Sequence, residues 1–135
     1  MGFILSIIAL PLFLLIYIMD EITIMFINVK NRKWFKVTSE RKFKKSFKLD
    51  VLANWLFPGF LNAVFSKGGY QFGKFGETLS SVFGKKRAEN SLGWFGYSIS
   101  ILIDCVDFSK WRKGGHCFNA IMADEEIEGF LAKYK

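Results

Sequence analysis

The sequence predicts a mostly α-helical protein in which an N-terminal transmembrane helix precedes a small helical, membrane-associated module. Three observations predict it. Residues 2–19 form one uninterrupted apolar run. Residues 30–48 carry nine Lys or Arg against one acid, so this patch holds +8 of a net +7 and the remaining residues sum to −1. Beyond it, polar residues recur at steps of three and four within two long apolar segments, which is the period of one helix face.

The expected organisation has three parts: an anchor over 1–29, a basic aromatic juxtamembrane segment over 30–48, and a helical module over 49–135. At about 1.5 Å per residue, the 18 apolar residues 2–19 are just long enough to cross a hydrocarbon core of about 30 Å. Pro11 lies mid-span, where membrane helices tolerate it better than soluble ones. Asp20 and Glu21 interrupt the run before residues 22–29 turn apolar again. A cleaved signal peptide would need a basic start and a small-residue cleavage site, and neither is present. Because cations follow the span and none precedes it, the expected topology puts the N-terminus outside an inner (plasma) membrane and residues 30–135 in the cytoplasm.

In the basic segment, Trp34, Phe35, Phe43 and Phe47 interleave with Lys33, Lys36, Lys42, Lys44, Lys45 and Lys48. Aromatic rings among cations suit the headgroup layer of an anionic membrane, so these lysines and Trp34 are the expected lipid-binding residues. Nucleic acid and an acidic protein are the competing partners for such a patch.

Residues 49–66 place Asp50, Asn54, Pro58, Asn62 and Ser66 at steps of four. The pattern predicts one helix, or two half-helices broken at Phe57-Pro58-Gly59, lying in the membrane plane or forming a re-entrant hairpin, with a second span as the alternative. Residues 67–76 are glycine-rich and read as a loop, with the spacing of neither a Walker A loop nor a dinucleotide fingerprint. Gly84-Lys85-Lys86-Arg87 reads as a solvated basic turn. Residues 92–108 predict a helix in which Gly96 and Ser100 permit close approach of a neighbour. Residues 124–135 predict a short amphipathic helix with Ile127, Phe130, Leu131 and Tyr134 on one side and acids in its first turn. Sixteen Phe and four Trp exceed what a core of this size encloses, so rings are expected to face lipid, a membrane protein partner or a second copy.

Two clusters carry the residue types of chemistry: Glu77-Thr78-Leu79-Ser80-Ser81, and Asp104, Cys105 and Asp107 followed by His116-Cys117. Were the chain an enzyme, Cys117 would be the nucleophile, His116 its base and Glu77 the orienting carboxylate of a tethered hydrolase or acyltransferase. Zinc held by Cys105, His116, Cys117 and Asp104 or Asp107 is a second reading, though the spacing matches no compact zinc signature. The plainer reading is packing and hydrogen bonding, with Glu77 and Ser80 or Ser81 capping a helix near Leu79 and bonding to the turn at 114–117. No metal and no cofactor is expected.

At these clusters the chain resembles a family of short, mostly uncharacterised proteins of tailed phages and prophages. The shared pattern is Glu-Thr-[Ile/Leu]-Ser-Ser, a spacer, then Asp and His-Cys, matched here by Glu77, Thr78, Ser80, Ser81, Asp104, His116 and Cys117. Many members carry Arg where this chain has Val82, and the family often lacks an N-terminal anchor. The resemblance covers roughly residues 70–122 and implies a phage or prophage origin and one compact module, with no activity attached. The leading expectation is a non-enzymatic, phage-type, single-pass interaction protein at the host inner membrane or in a virion or membrane assembly. A holin-like or ejection-related permeabilising protein is the first alternative and the tethered Cys/His enzyme the second.

Overall fold

The computed structural model describes residues 2–31 and 36–133, with side chains described for 7, 9–27, 29, 41–107 and 110–133. The described residues are mostly helical: α1 (Gly2–Asn31), α2 (Lys36–Leu56), α3 (Pro58–Phe65), α4 (Leu79–Ala88), α5 (Trp94–Val106), α6 (His116–Asn119) and α7 (Asp124–Ala132), with a 3-10 turn over Phe108–Lys113 between α5 and α6. The backbone packs into two units, Met1–Phe43 and Lys44–Lys135.

In the first unit, α1 continues past Pro11 and through Asp20 and Glu21. Its stretch Ala9–Ile27 is long and apolar enough to cross a membrane and is almost wholly exposed. The candidate span among the described residues therefore extends beyond the run at 2–19 and takes in both acids. Thr23 lies just after them and donates its hydroxyl to the Met19 carbonyl at 2.7 Å, satisfying a polar group within the helix.

Residues 48 and 49, where a boundary was expected, both lie inside α2. Lys33, Trp34 and Phe35 lie outside the described residues, as does the side chain of Lys36. Lys42, Phe43, Lys44 and Lys48 are exposed and Lys45 is half-buried. Phe47 departs from the expected lipid-facing set, because its ring packs on Phe130 of α7 with centroids 5.7 Å apart. It belongs to the interior of the second unit.

Within that unit the chain breaks where proline requires it. Pro58 opens α3 at its first turn, and Phe57 before it is displaced from helical geometry, ending α2. The polar stripe of residues 49–66 points into protein. Asn54 is fully buried; its amide donates to the carbonyls of Lys74 (3.2 Å) and Glu77 (3.0 Å) and its oxygen accepts from the Gly73 N–H. Asn62 makes a reciprocal pair with the backbone of Phe72, at 3.1 and 3.0 Å. Two asparagines thus hold the glycine-rich loop, whose own backbone forms no ladder.

The core gathers Leu61, Phe65, Phe72, Val82, Phe83, Leu92 and Cys117. Phe65 is its hub, with ring centroids 5.3–6.4 Å apart along the contacts linking it to Phe60, Phe72, Phe83 and Phe95 and joining Phe72 to Phe83. An isolated antiparallel bridge between Ser66 and Leu92, and a 2.8 Å bond from the Gly93 N–H to the Phe65 carbonyl, pin the end of α3 to the start of α5. Gly96 permits this approach, since a Cβ there would lie 2.7 Å from the Phe65 oxygen. The close approach expected at Gly96 is therefore made against α3. At the C-terminus, α7 buries Ile127 and half-buries Phe130 and Leu131, while Glu126 accepts from the Ala123 N–H at 2.9 Å and closes its first turn.

Candidate functional site

The first of the two clusters leads into α4 and the second runs from α5 to α6, and α4 packs closely on α6 in the second unit. α4 is buried along most of its length although its sequence, LSSVFGKKRA, is polar. Each of its polar groups accordingly requires a partner. Its N-cap is Thr78, whose hydroxyl accepts from the Ser81 N–H at 3.1 Å, rather than Glu77, Ser80 or Ser81 as the sequence suggested. Asp50 of α2 accepts a second free donor, the Ser80 N–H, at 3.3 Å, and burial pushes its carboxyl above the ordinary aspartate value.

Glu77 is fully buried and fully engaged. Its Oε1 accepts from the Ser81 hydroxyl at 2.7 Å and pairs with Lys85 Nζ at 2.7 Å; its Oε2 accepts from the Tyr70 hydroxyl at 2.6 Å. Burial, with the Glu77 bond, holds the Tyr70 phenol well above the usual tyrosine range. Ser81 in turn accepts from the Met122 N–H at 2.9 Å, so the cluster ties α4 to the segment after α6, not to the turn at 114–117.

Asp104 organises the other half. It is the only charged residue of α5 and it is buried. One carboxylate oxygen accepts from the Cys117 N–H at 2.8 Å and the other pairs with the Arg87 guanidinium, while its backbone carbonyl accepts from Trp111 Nε1 at 2.7 Å. Burial alone would raise this carboxyl; the Cys117 N–H and Arg87 outweigh it and hold it below the ordinary 3.8. Gly115 makes the arrangement possible. Its φ is +96°, and a Cβ there would lie 2.3 Å from the Asp104 carboxylate.

Gly84-Lys85-Lys86-Arg87, expected as a solvated turn, lies instead in the second half of α4, where all three cations bond to protein groups. Lys85 holds Glu77 and Arg87 holds Asp104. Lys86 is fully buried, donating to the carbonyls of Gly68 and Tyr70 at 2.6 Å each, and burial lowers its pKa. Sequence did carry a signal for the first pair, because Glu77, Ser81 and Lys85 stand four apart, with Glu77 just before the N-cap Thr78. Gly84 lies where α4 meets α6; a Cβ would come within 2.2 Å of the Cys117 carbonyl. Gly84→Ala is expected to cost about 1–3 kcal/mol by overpacking, read as a lower thermal midpoint of the detergent-solubilised chain. An unchanged midpoint would mean that the two helices part readily.

The three residues of the conditional enzyme occupy separate networks. His116 Nδ1 lies 2.8 Å from Asp107, not on Glu77. The Cys117 thiol is fully buried, donates to the Ser100 carbonyl at 3.6 Å and is pushed up to about 12, chiefly by burial. Cys105 is half-buried on α5. Among the described residues, no three of His, Cys, Asp and Glu are arranged to hold a metal ion.

Fold and site together define a mostly helical protein with one apolar N-terminal helix and a small unit whose motif residues serve as internal fastenings. Comparison with protein-family models, with curated proteins and with solved structures found no match.

Proposed function

We propose that the chain is a membrane-tethered, non-enzymatic interaction protein of phage type, with α1 as the anchor and the second unit held beside the bilayer as the interacting part. The observation that carries this reading is the engagement of the motif: Glu77, Thr78, Ser81, Asp104 and Cys117 are buried and bonded to neighbouring protein groups. A thiol with its pKa near 12 is almost entirely protonated at neutral pH and is a poor nucleophile. A permeabilising role would require residues 49–66 to leave the unit, breaking the bonds that Asn54 and Asn62 make to the glycine-rich loop.

The test combines extraction with thiol labelling. Full-length chain expressed in bacteria is expected to stay in the membrane pellet through alkaline carbonate. Leu14→Arg with Leu15→Arg, at a cost of about 2.5–3.5 kcal/mol each in a span, is expected to release it. In the folded protein at neutral pH, Cys117 is expected to resist iodoacetamide until denaturant is added. Release of the unmodified chain by carbonate would overturn the anchor, and rapid labelling of Cys117 would reopen the enzymatic reading.

A further inference from the structure

One face of the second unit has the composition of a bilayer-facing surface. α5 presents Trp94, Phe95, Tyr97, Ile101, Leu102 and Val106 outward, with Trp94 at 78% and Leu102 at 60% exposure. These positions follow the helical period, and the one charge of α5, Asp104, is turned inward. Adjacent α3 contains no charged residue and exposes Phe60 and Val64. The exposed rings of Phe60 and Phe95 both pack on the buried Phe65, at 5.7 and 5.5 Å, and Trp94 packs on Phe95 at 5.6 Å, so the two helices expose apolar side chains around one core ring. Exposed apolar side chains clustered in this way mark an interaction site.

Charge indicates the occupant. Lys67 stands at the N-terminal end of α5, its N–H bonded to the Ser91 carbonyl at 2.8 Å, and Lys110, Arg112 and Lys113 follow the C-terminal end. Acids stand at both ends too: Glu89, bonded to the Tyr70 N–H and the Ser91 hydroxyl, lies on the Lys67 side, and Asp107, 2.8 Å from His116 Nδ1, precedes the three cations, so the excess positive charge is at the C-terminal end. An apolar stripe that ends in a group of three cations complements acyl chains bordered by anionic headgroups. A second copy fits less well. Parallel pairing of α5 would set Lys110, Arg112 and Lys113 against their own counterparts, and antiparallel pairing would leave those three cations facing an end with only one acid, Glu89.

We infer that the α3 and α5 face of the second unit is a lipid-docking surface, seated on an anionic bilayer with Trp94, Ile101 and Leu102 below the headgroups. The inference rests on the proposed tethering, which would hold this unit close enough for a modest affinity to suffice.

The test uses full-length chain reconstituted into vesicles of phosphatidylcholine and phosphatidylglycerol, with and without acyl-brominated lipid. Three single-tryptophan chains are compared, all with Trp34, Trp55 and Trp111 replaced by Phe: one retaining Trp94, one with Trp94→Phe and Tyr17→Trp, and one with Trp94→Phe and Glu128→Trp. Emission from Trp94 is expected to fall at least about twofold with brominated lipid, as it does for Tyr17→Trp in the anchor, while Glu128→Trp is unaffected. Leu102→Asp, at an outward position, is expected to abolish the quenching of Trp94. Quenching in the Tyr17→Trp chain without quenching of Trp94 overturns the docking surface and leaves the anchor standing. A blue-shifted but unquenched Trp94 also overturns it, in favour of a second copy. Loss of quenching at both positions overturns anchor and surface together, whereas quenching of Trp94 alone would support the surface and sink the anchor.

Discussion

Asp104→Ala is expected to destabilise the second unit by about 3–5 kcal/mol, a large share of what a domain of this size possesses. The substitution removes the counter-charge of Arg87 and the acceptor of the Cys117 N–H together, so a largely buried guanidinium and a buried donor are both left unpaired. Asp104→Asn is expected to cost less, because its amide oxygen can still accept from the Cys117 N–H, although the amide NH2 in place of the second oxygen can no longer pair with Arg87. The measurement is thermal or denaturant unfolding of the detergent-solubilised chain, followed by tryptophan fluorescence. Equal midpoints for Asp104→Ala and the parent chain would remove Asp104 from its organising role.

The same residue sets an acid response whose sign is definite. The Asp104 carboxyl is held below 3.8, so its contribution is complete above that pH and is lost as pH falls through its lower folded value. Asp50 acts in the opposite direction: its carboxyl is raised by burial, so the folded state takes up that proton first and gains stability as pH falls through the raised value. Acid loss attributable to Asp104 should therefore sit below pH 3.8, and in Asp104→Asn the unfolding midpoint should depend less steeply on pH there. A loss of equal steepness in that variant would assign the acid response elsewhere.

Glu77→Ala is expected to be comparably damaging, at about 3–5 kcal/mol, since it strands the Lys85 ammonium and the hydroxyls of Ser81 and Tyr70. Lys85→Met should be milder, because Glu77 keeps the Ser81 and Tyr70 hydroxyls as donors. The double variant should be less destabilised than the two single costs added together, with a coupling of about 1–3 kcal/mol. Strict additivity would show that the pair is no functional unit of the fold.

Sequence by itself determined the features that depend on neighbours along the chain. The apolar run made α1 legible, Pro58 marked where a break could fall while leaving one continuous helix open, the glycines at 68, 69, 73 and 76 marked the loop at 67–76, and the step of three and four residues located α5 and α7. These follow from backbone sterics and from the helical period, which act within a few residues. Only the tertiary structure decided where the polar side chains go. A run of Lys85, Lys86 and Arg87 reads as solvated because such side chains rarely leave water; the Glu77 partner of Lys85 stands eight residues back, just before the same helix, but the Gly68 and Tyr70 carbonyls and Asp104 lie 16 to 18 residues away, across loops. Phe47 likewise reads as a headgroup aromatic until α7 returns to cover it. The motif that invited a catalytic reading is a set of fastenings for the same reason: a carboxylate and a cation are chemically alike in a site and in a buried ion pair, and only burial and distance distinguish the two.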